Sequence, residues 1–193
     1  MKRDNDEDGR RPAVDKVGGE SDRGLLIIDM SFDRVRGSAA VVGAEDLVRF
    51  IQGELRYFRE RGRPVFFATG LTSRERNTAV DAVIPELTPR SGEIVLTPPT
   101  SSAFVGTDLD QLLQKCGVRR LTLVGLETDT AVLRTANDAV AHGYEAVVPE
   151  PCVCSHDVVA HHAALHLLRA QRPLRSAAQV STPNTADSLR QDL

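Results

Sequence analysis

The chain has 193 residues, 41% of them apolar and 26% charged, with a formal net charge of −3. That length suits one domain with a sizeable core and is short for two. The balanced charge gives no general reason for nucleic acid or an anionic membrane as a partner, and no apolar run approaches the roughly 20 residues that span a bilayer.

Residues 1–23 are rich in Asp, Glu, Arg, Lys and Gly and lack an apolar stretch. They read as a disordered lead-in rather than a signal peptide, followed by one domain over 24–183 and a flexible tail over 184–193. The chain has three cysteines, Cys116, Cys152 and Cys154. An odd count of this kind is no disulfide framework, and it fits a reducing, cytoplasmic setting.

Residues 24–30 (GLLIIDM) are a continuous apolar run ending in Asp29, the pattern of a parallel strand buried on both faces. A helix is expected over 43–61, with Leu47, Phe50, Ile51, Leu55 and Phe58 at helical spacing and Gly62 as its stop. A second buried strand follows over 64–69. The polar stretch 70–85 leaves room for a short helix near 79–83.

A third strand is expected over 93–97, punctuated by Pro98 and Pro99. Residues 107–116 read as a helix, with Thr107 and Asp110 in a capping-box relation and Leu109, Leu112 and Leu113 facing inward. Strand four, 120–124, runs into a helix carrying Val132, Ala136, Ala139 and Val140 that ends at His142. Strand five is expected over 144–148, a helix capped by Ser155 over 155–169, and a weaker strand six over 177–181.

Strands alternating with helices define an α/β, Rossmann-like, three-layer α/β/α fold with a six-stranded parallel sheet. The turn after the first strand, Asp29-Met-Ser-Phe-Asp-Arg-Val-Arg-Gly37, replaces the Gly-rich phosphate loop, so a dinucleotide site is not expected. His162 and His166 are four apart, a spacing that two metal ligands can use, with His161 beside them. A zinc site needs further ligands, and the plain alternative is a set of partly buried histidines.

Several segments in order resemble the isochorismatase-like (cysteine hydrolase) superfamily, which includes nicotinamidases, carbamoylsarcosine amidohydrolases and isochorismatases. They are Leu25-Leu-Ile-Ile-Asp-Met30, Ile84-Pro-Glu-Leu87 through Leu96, Ser102-Ala-Phe-Val-Gly-Thr-Asp-Leu109, Val124-Gly-Leu-Glu-Thr-Asp-Thr-Ala-Val-Leu133 and Ala136-Asn-Asp-Ala139. The resemblance implies that family's hydrolase fold. Amidohydrolase members use an Asp, a Lys and a nucleophilic Cys. Asp29 matches the Asp, but the Lys position, four residues before Ser102, holds Pro98, and the Cys position holds Ala131.

A methyl group is no nucleophile, so thioester-forming amide hydrolysis is disfavoured. Isochorismatase-type members hydrolyse vinyl ethers without the cysteine, the strand-end Asp protonating the enol-ether carbon. The resemblance therefore implies an enzyme using Asp29 as general acid or base on a small carboxylated metabolite. Thr97, Thr100, Ser101, Glu127, Thr128, Thr130 and Ala131 would line the pocket, and Arg74 would hold an anionic group.

Two alternatives stay open: a non-catalytic ligand-binding or scaffold protein of the same fold, and an amidohydrolase whose cysteine is replaced by Ala131. The family's metal site needs an Asp-x-His pair after the second strand, and Ala68-Thr-Gly-Leu-Thr-Ser73 supplies none, so no metal or other cofactor is expected. The resemblance also implies a strained or cis peptide near Leu126 and Glu127, an oxyanion hole of backbone N–H groups at Glu127 and Ala131, and a homodimer or larger homo-oligomer.

Overall fold

A computed structural model describes residues 20–69 and 82–170. Six strands, β1 (Arg23–Ile28), β2 (Val65–Ala68), β3 (Ile94–Leu96), β4 (Arg120–Leu126), β5 (Glu145–Val147) and β6 (Val153–Cys154), form one sheet. The order is β3-β2-β1-β4-β5, with β6 beside the far end of β4, and every pairing between these strands is parallel. The helices are α1 (Phe32–Arg36), α2 (Ala44–Glu60), α3 (Leu109–Lys115), α4 (Leu133–Ala141) and α5 (Val158–Ala170).

Side chains alternate across a strand, so a strand buried on both faces feeds two cores. In β1, Leu25 and Ile27 join Leu47, Ile51, Leu55 and Phe58 of α2 on one side. Leu26 and Ile28 join Leu109 and Leu113 of α3, Ala136 and Ala139 of α4 and Leu165 of α5 on the other. The result is the three-layer α/β/α arrangement. Each fully buried large apolar side chain contributes about 1.5–3 kcal/mol relative to exposure.

Several local expectations are refined. Phe50 is 51% exposed and Val48 is buried in its place on α2, because the helix presents 44, 47, 48, 51, 55 and 58 to the sheet. Val140 is 38% exposed. Helix α3 starts at Leu109, whose amide donates to Thr107 Oγ1 at 3.3 Å, while the Asp110 carboxylate accepts the Tyr144 hydroxyl at 2.7 Å. Helix α5 starts at Val158, where Asp157 Oδ1 accepts the amides of Val159 (2.7 Å) and Ala160 (3.1 Å), so Asp157 does the capping that Ser155 was expected to do.

The expected strand over 177–181 lies outside the described residues. The sixth described strand is β6, two residues in register with Gly125 and Leu126. Of the expected helix near 79–83, residues 79–81 also lie outside, and Val83 forms an antiparallel bridge with Ser31. Among the described residues no helix is long and apolar enough to cross a membrane.

One contact governs how β1 and β4 approach. Gly125 sits at φ +118°, and a Cβ there would lie 2.0 Å from the carbonyl oxygen of Ile28. No side chain fits, and the backbone conformation itself favours glycine. Gly125→Ala is expected to cost about 3 kcal/mol or more from overpacking and backbone strain together, read as a lowered urea midpoint. An unchanged midpoint would contradict this close approach.

Candidate functional site

The chain builds β2 and β3 on one side of β1, then crosses to β4 on the other. The strand order thus reverses between β1 and β4, and in open α/β sheets the crevice beyond the carboxyl ends at such a point is where ligands bind. Asp29 follows the end of β1 and Glu127 follows the end of β4. In register, Ile28 lies opposite Gly125 and Ala68. The Asp29 amide continues the ladder by donating to the carbonyl of Ala68 at 2.8 Å.

Asp29 has φ +50°, the one non-glycine residue with positive φ among the described residues, and it is half-buried. Asp tolerates this left-handed region better than most residues, and strained backbone of this kind concentrates at functional sites. The Leu126–Glu127 peptide is cis, in the place that the family resemblance implies. Thr128–Val132 then form a turn of π-helix, with the Val132 amide donating to Glu127 O at 3.1 Å, before α4 begins.

Glu127 is ion-paired and hydrogen-bonded to Arg34 of α1, the two side chains being 16% and 20% exposed. Arg34 is the residue that sequence reasoning missed. It is one of two arginines on a five-residue helix, and its partner lies 93 positions away. The second, Arg36, turns instead to Glu45 and Glu86 on the surface.

The other expected pocket residues fall into two groups. Thr128, Thr130 and Ala131 sit in the π turn beside Glu127. Thr128 is fully buried, with its hydroxyl 2.9 Å from His161 Nδ1, and Ala131 is 4% exposed. Thr97, Thr100 and Ser101 are exposed on the loop leaving β3, two strands away from β1 in the sheet, and Thr100 Oγ1 accepts the Ser102 amide at 3.3 Å. Arg74 lies outside the described residues.

The loop that carries Pro98 is pinned to α4. Ser102 Oγ donates to Asp138 at 2.5 Å, and the Ala103 amide donates to Thr135 Oγ1 at 3.1 Å. Phe104 stacks on His142 with centroids 5.0 Å apart. Pro98 itself is buried. The Ser-Ala-Phe motif therefore acts as an anchor between the loop and α4.

Two cysteines come near this edge. Burial pushes the Cys154 thiol up to about 11, with the Glu127 carboxylate adding to the effect, and burial likewise pushes Cys152 up to about 12, with Glu54 adding to it. Both therefore stay protonated at neutral pH. A separate cleft of about 310 Å³, lined in part by Gln52, Leu55, Arg56, Arg59, Glu86 and Arg90, lies at the surface of α2. Two of its charges are already engaged, Arg59 by Glu93 and Glu86 by Arg36.

His161 joins α5 to the π turn. Burial holds its imidazole below the ordinary value of 6.5; His162 acts in the same direction, and Glu150 and Asp129 oppose it. The folded chain thus binds this proton less readily than the unfolded chain does. His161's contribution to stability is fully present above about pH 6.5 and is lost as the pH falls below that value. Melting temperatures between roughly pH 8 and pH 5 are expected to drop less steeply in His161→Asn than in the parent chain; parallel curves would contradict the partly buried imidazole.

The comparisons agree with this architecture. A description of the isochorismatase domain matches residues 23–182. The secreted isochorismatase effector Isc1 of Verticillium dahliae is 27% identical over 139 residues, which cover 69% of this chain and 73% of that protein. The maleamate amidohydrolase of Pseudomonas putida is 36% identical over 77 residues, 40% of this chain and 36% of that protein. Among solved structures, an isochorismatase family protein from Desulfovibrio vulgaris aligns with a TM-score of 0.72 at 28% identity, covering 78% of this chain and 90% of that one. With its parallel sheet, its strand-end Asp29 and a match spanning most of its length, the chain belongs to the isochorismatase domain family.

Proposed function

We propose that the protein is an isochorismatase-type hydrolase that works without a cysteine nucleophile, with Asp29 as general acid or base on a small carboxylated metabolite. The observation that carries this reading is Asp29 itself, held half-buried at φ +50° on the end of the central strand β1. Such backbone is retained when the surrounding structure imposes it, and active sites are where it concentrates.

The chemistry follows from what each position offers. Ala131 and Pro98 stand where the family's Cys and Lys are expected, so no thioester can form at this turn. Glu127 is neutralised by Arg34. For an enol ether, a protonated Asp29 would donate to the terminal carbon, giving an oxocarbenium ion that water attacks; the resulting hemiketal then releases an alcohol and a keto acid. Removing a positioned general acid typically lowers the rate by about 10²–10⁴.

Thr97, Thr100, Ser101, Thr130 and Arg74 are the groups we propose for holding the substrate. The three free cysteines support a reducing, cytoplasmic setting. A second reading, a ligand-binding protein without turnover, draws on the same substitutions at 98 and 131, and one panel separates the two. Against small enol ethers, amides and esters carrying a carboxylate, the parent chain is expected to turn over at least one enol ether, and Asp29→Asn to lose at least about 100-fold in kcat while still binding it. Tight binding with no turnover would establish the second reading, and equal turnover by Asp29→Asn would exclude Asp29 as the working group.

A further inference from the structure

Helix α5 presents to solvent a face that a solvated helix would not ordinarily have. Val159, His162, Ala163, His166, Leu167 and Ala170 share one face, each with neighbours three or four positions away, and all are exposed. Val159 is 78% exposed and Leu167 52%. The buried residues of this helix are Ala164 and Leu165, and Arg169 is its one permanently charged side chain. Exposed helix faces normally carry charged and polar groups, so an apolar stripe flanking two histidines fits a surface that another apolar surface covers.

Within that stripe His162 and His166 lie one helical turn apart, neighbours on the same face. His162 Nδ1 is 2.7 Å from the carbonyl oxygen of Val158. A carbonyl only accepts, so Nδ1 must donate, and the neutral ring is left with Nε2 as its lone-pair nitrogen. A backbone carbonyl that fixes the tautomer and the ring orientation in this way is the usual support of a metal-binding imidazole. His161, by contrast, turns to Thr128 and takes no part.

One chain supplies only these two ligands, since among the described residues no three His, Cys, Asp or Glu side chains gather to hold a metal ion. We infer that His162 and His166 form half of a zinc-type site that is completed by the same pair from a second copy of the chain. Helix α5 runs from Val158 to Ala170, so Ala164 is its midpoint, and the two histidines lie two residues to either side of that level. An antiparallel crossing of two such helices about a two-fold axis at this level brings four imidazoles together. That number suits the four-coordinate, tetrahedral preference of zinc, and a two-fold interface sets one patch against itself. Val159 and Leu167 supply the apolar contact around it.

The test uses the untagged full chain, stripped of metal with a chelator and then examined by sedimentation velocity with and without zinc chloride. Zinc is expected to strengthen dimerisation by at least about tenfold, with roughly one zinc bound per two chains, and the chelator is expected to reverse it. His162→Ala and His166→Ala, both at exposed positions, should each abolish the zinc response while keeping the parent melting temperature. Leu167→Glu should weaken the dimer with the histidines intact. Failure to bind zinc, binding of one zinc per chain without dimerisation, or a zinc response unchanged in the two histidine variants would each overturn the inference.

Discussion

The approach of β1 to β4 is the constraint on which the rest depends. Gly125 admits the Ile28 carbonyl to a distance that no side chain would allow, and this fixes the two strands in register at their carboxyl ends. From that pairing come the positions of Asp29 and Glu127, one residue beyond each strand, and the π turn that opens α4. The loop over 97–107 is held against the same helix by Thr135 and Asp138.

Magnitudes decide what chemistry that crevice can host. A thiol whose pKa is about 11 is ionised in only roughly one molecule in 10⁴ at neutral pH, so Cys154 cannot stand in for a thiolate even though it lies near Glu127. Ala131 is buried in the π turn and offers only a methyl group. Glu127 is committed to Arg34, a largely buried pair whose separation would leave an unpaired charge at some cost. Of the carboxylates at the two strand ends, Asp29 is the one placed by an unusual backbone, and for that reason the proposed reaction runs through it.

Much of the fold was legible because parallel strands buried on both faces are continuous apolar runs, and β1, β2 and β4 stand out on that ground alone. Strand β6 was not, since two residues carry no periodicity and pair only because β4 extends to Leu126. The capping residue of α5 was also misassigned. Ser155 has the right chemistry to cap a helix, but its hydroxyl accepts the Asp129 amide at 3.3 Å, a contact between segments 26 positions apart. In the sequence Asp29 was marked by its place at the end of an apolar run, and Glu127 only by the family resemblance. The Arg34–Glu127 pair and the Thr128–His161 hydrogen bond could not be read there, because each joins elements that only the folded sheet brings together.

The proposed working crevice lies at the carboxyl ends of β1 and β4. A residue-resolved NMR binding map of the full chain, taken with small carboxylates and carboxylated enol ethers, tests it most directly. Shifts centred on Asp29, Thr97 to Ser101 and Glu127 to Ala131 are predicted, whether or not the ligand turns over. Shifts confined to the cleft of Arg56 and Arg90 on α2 would contradict it.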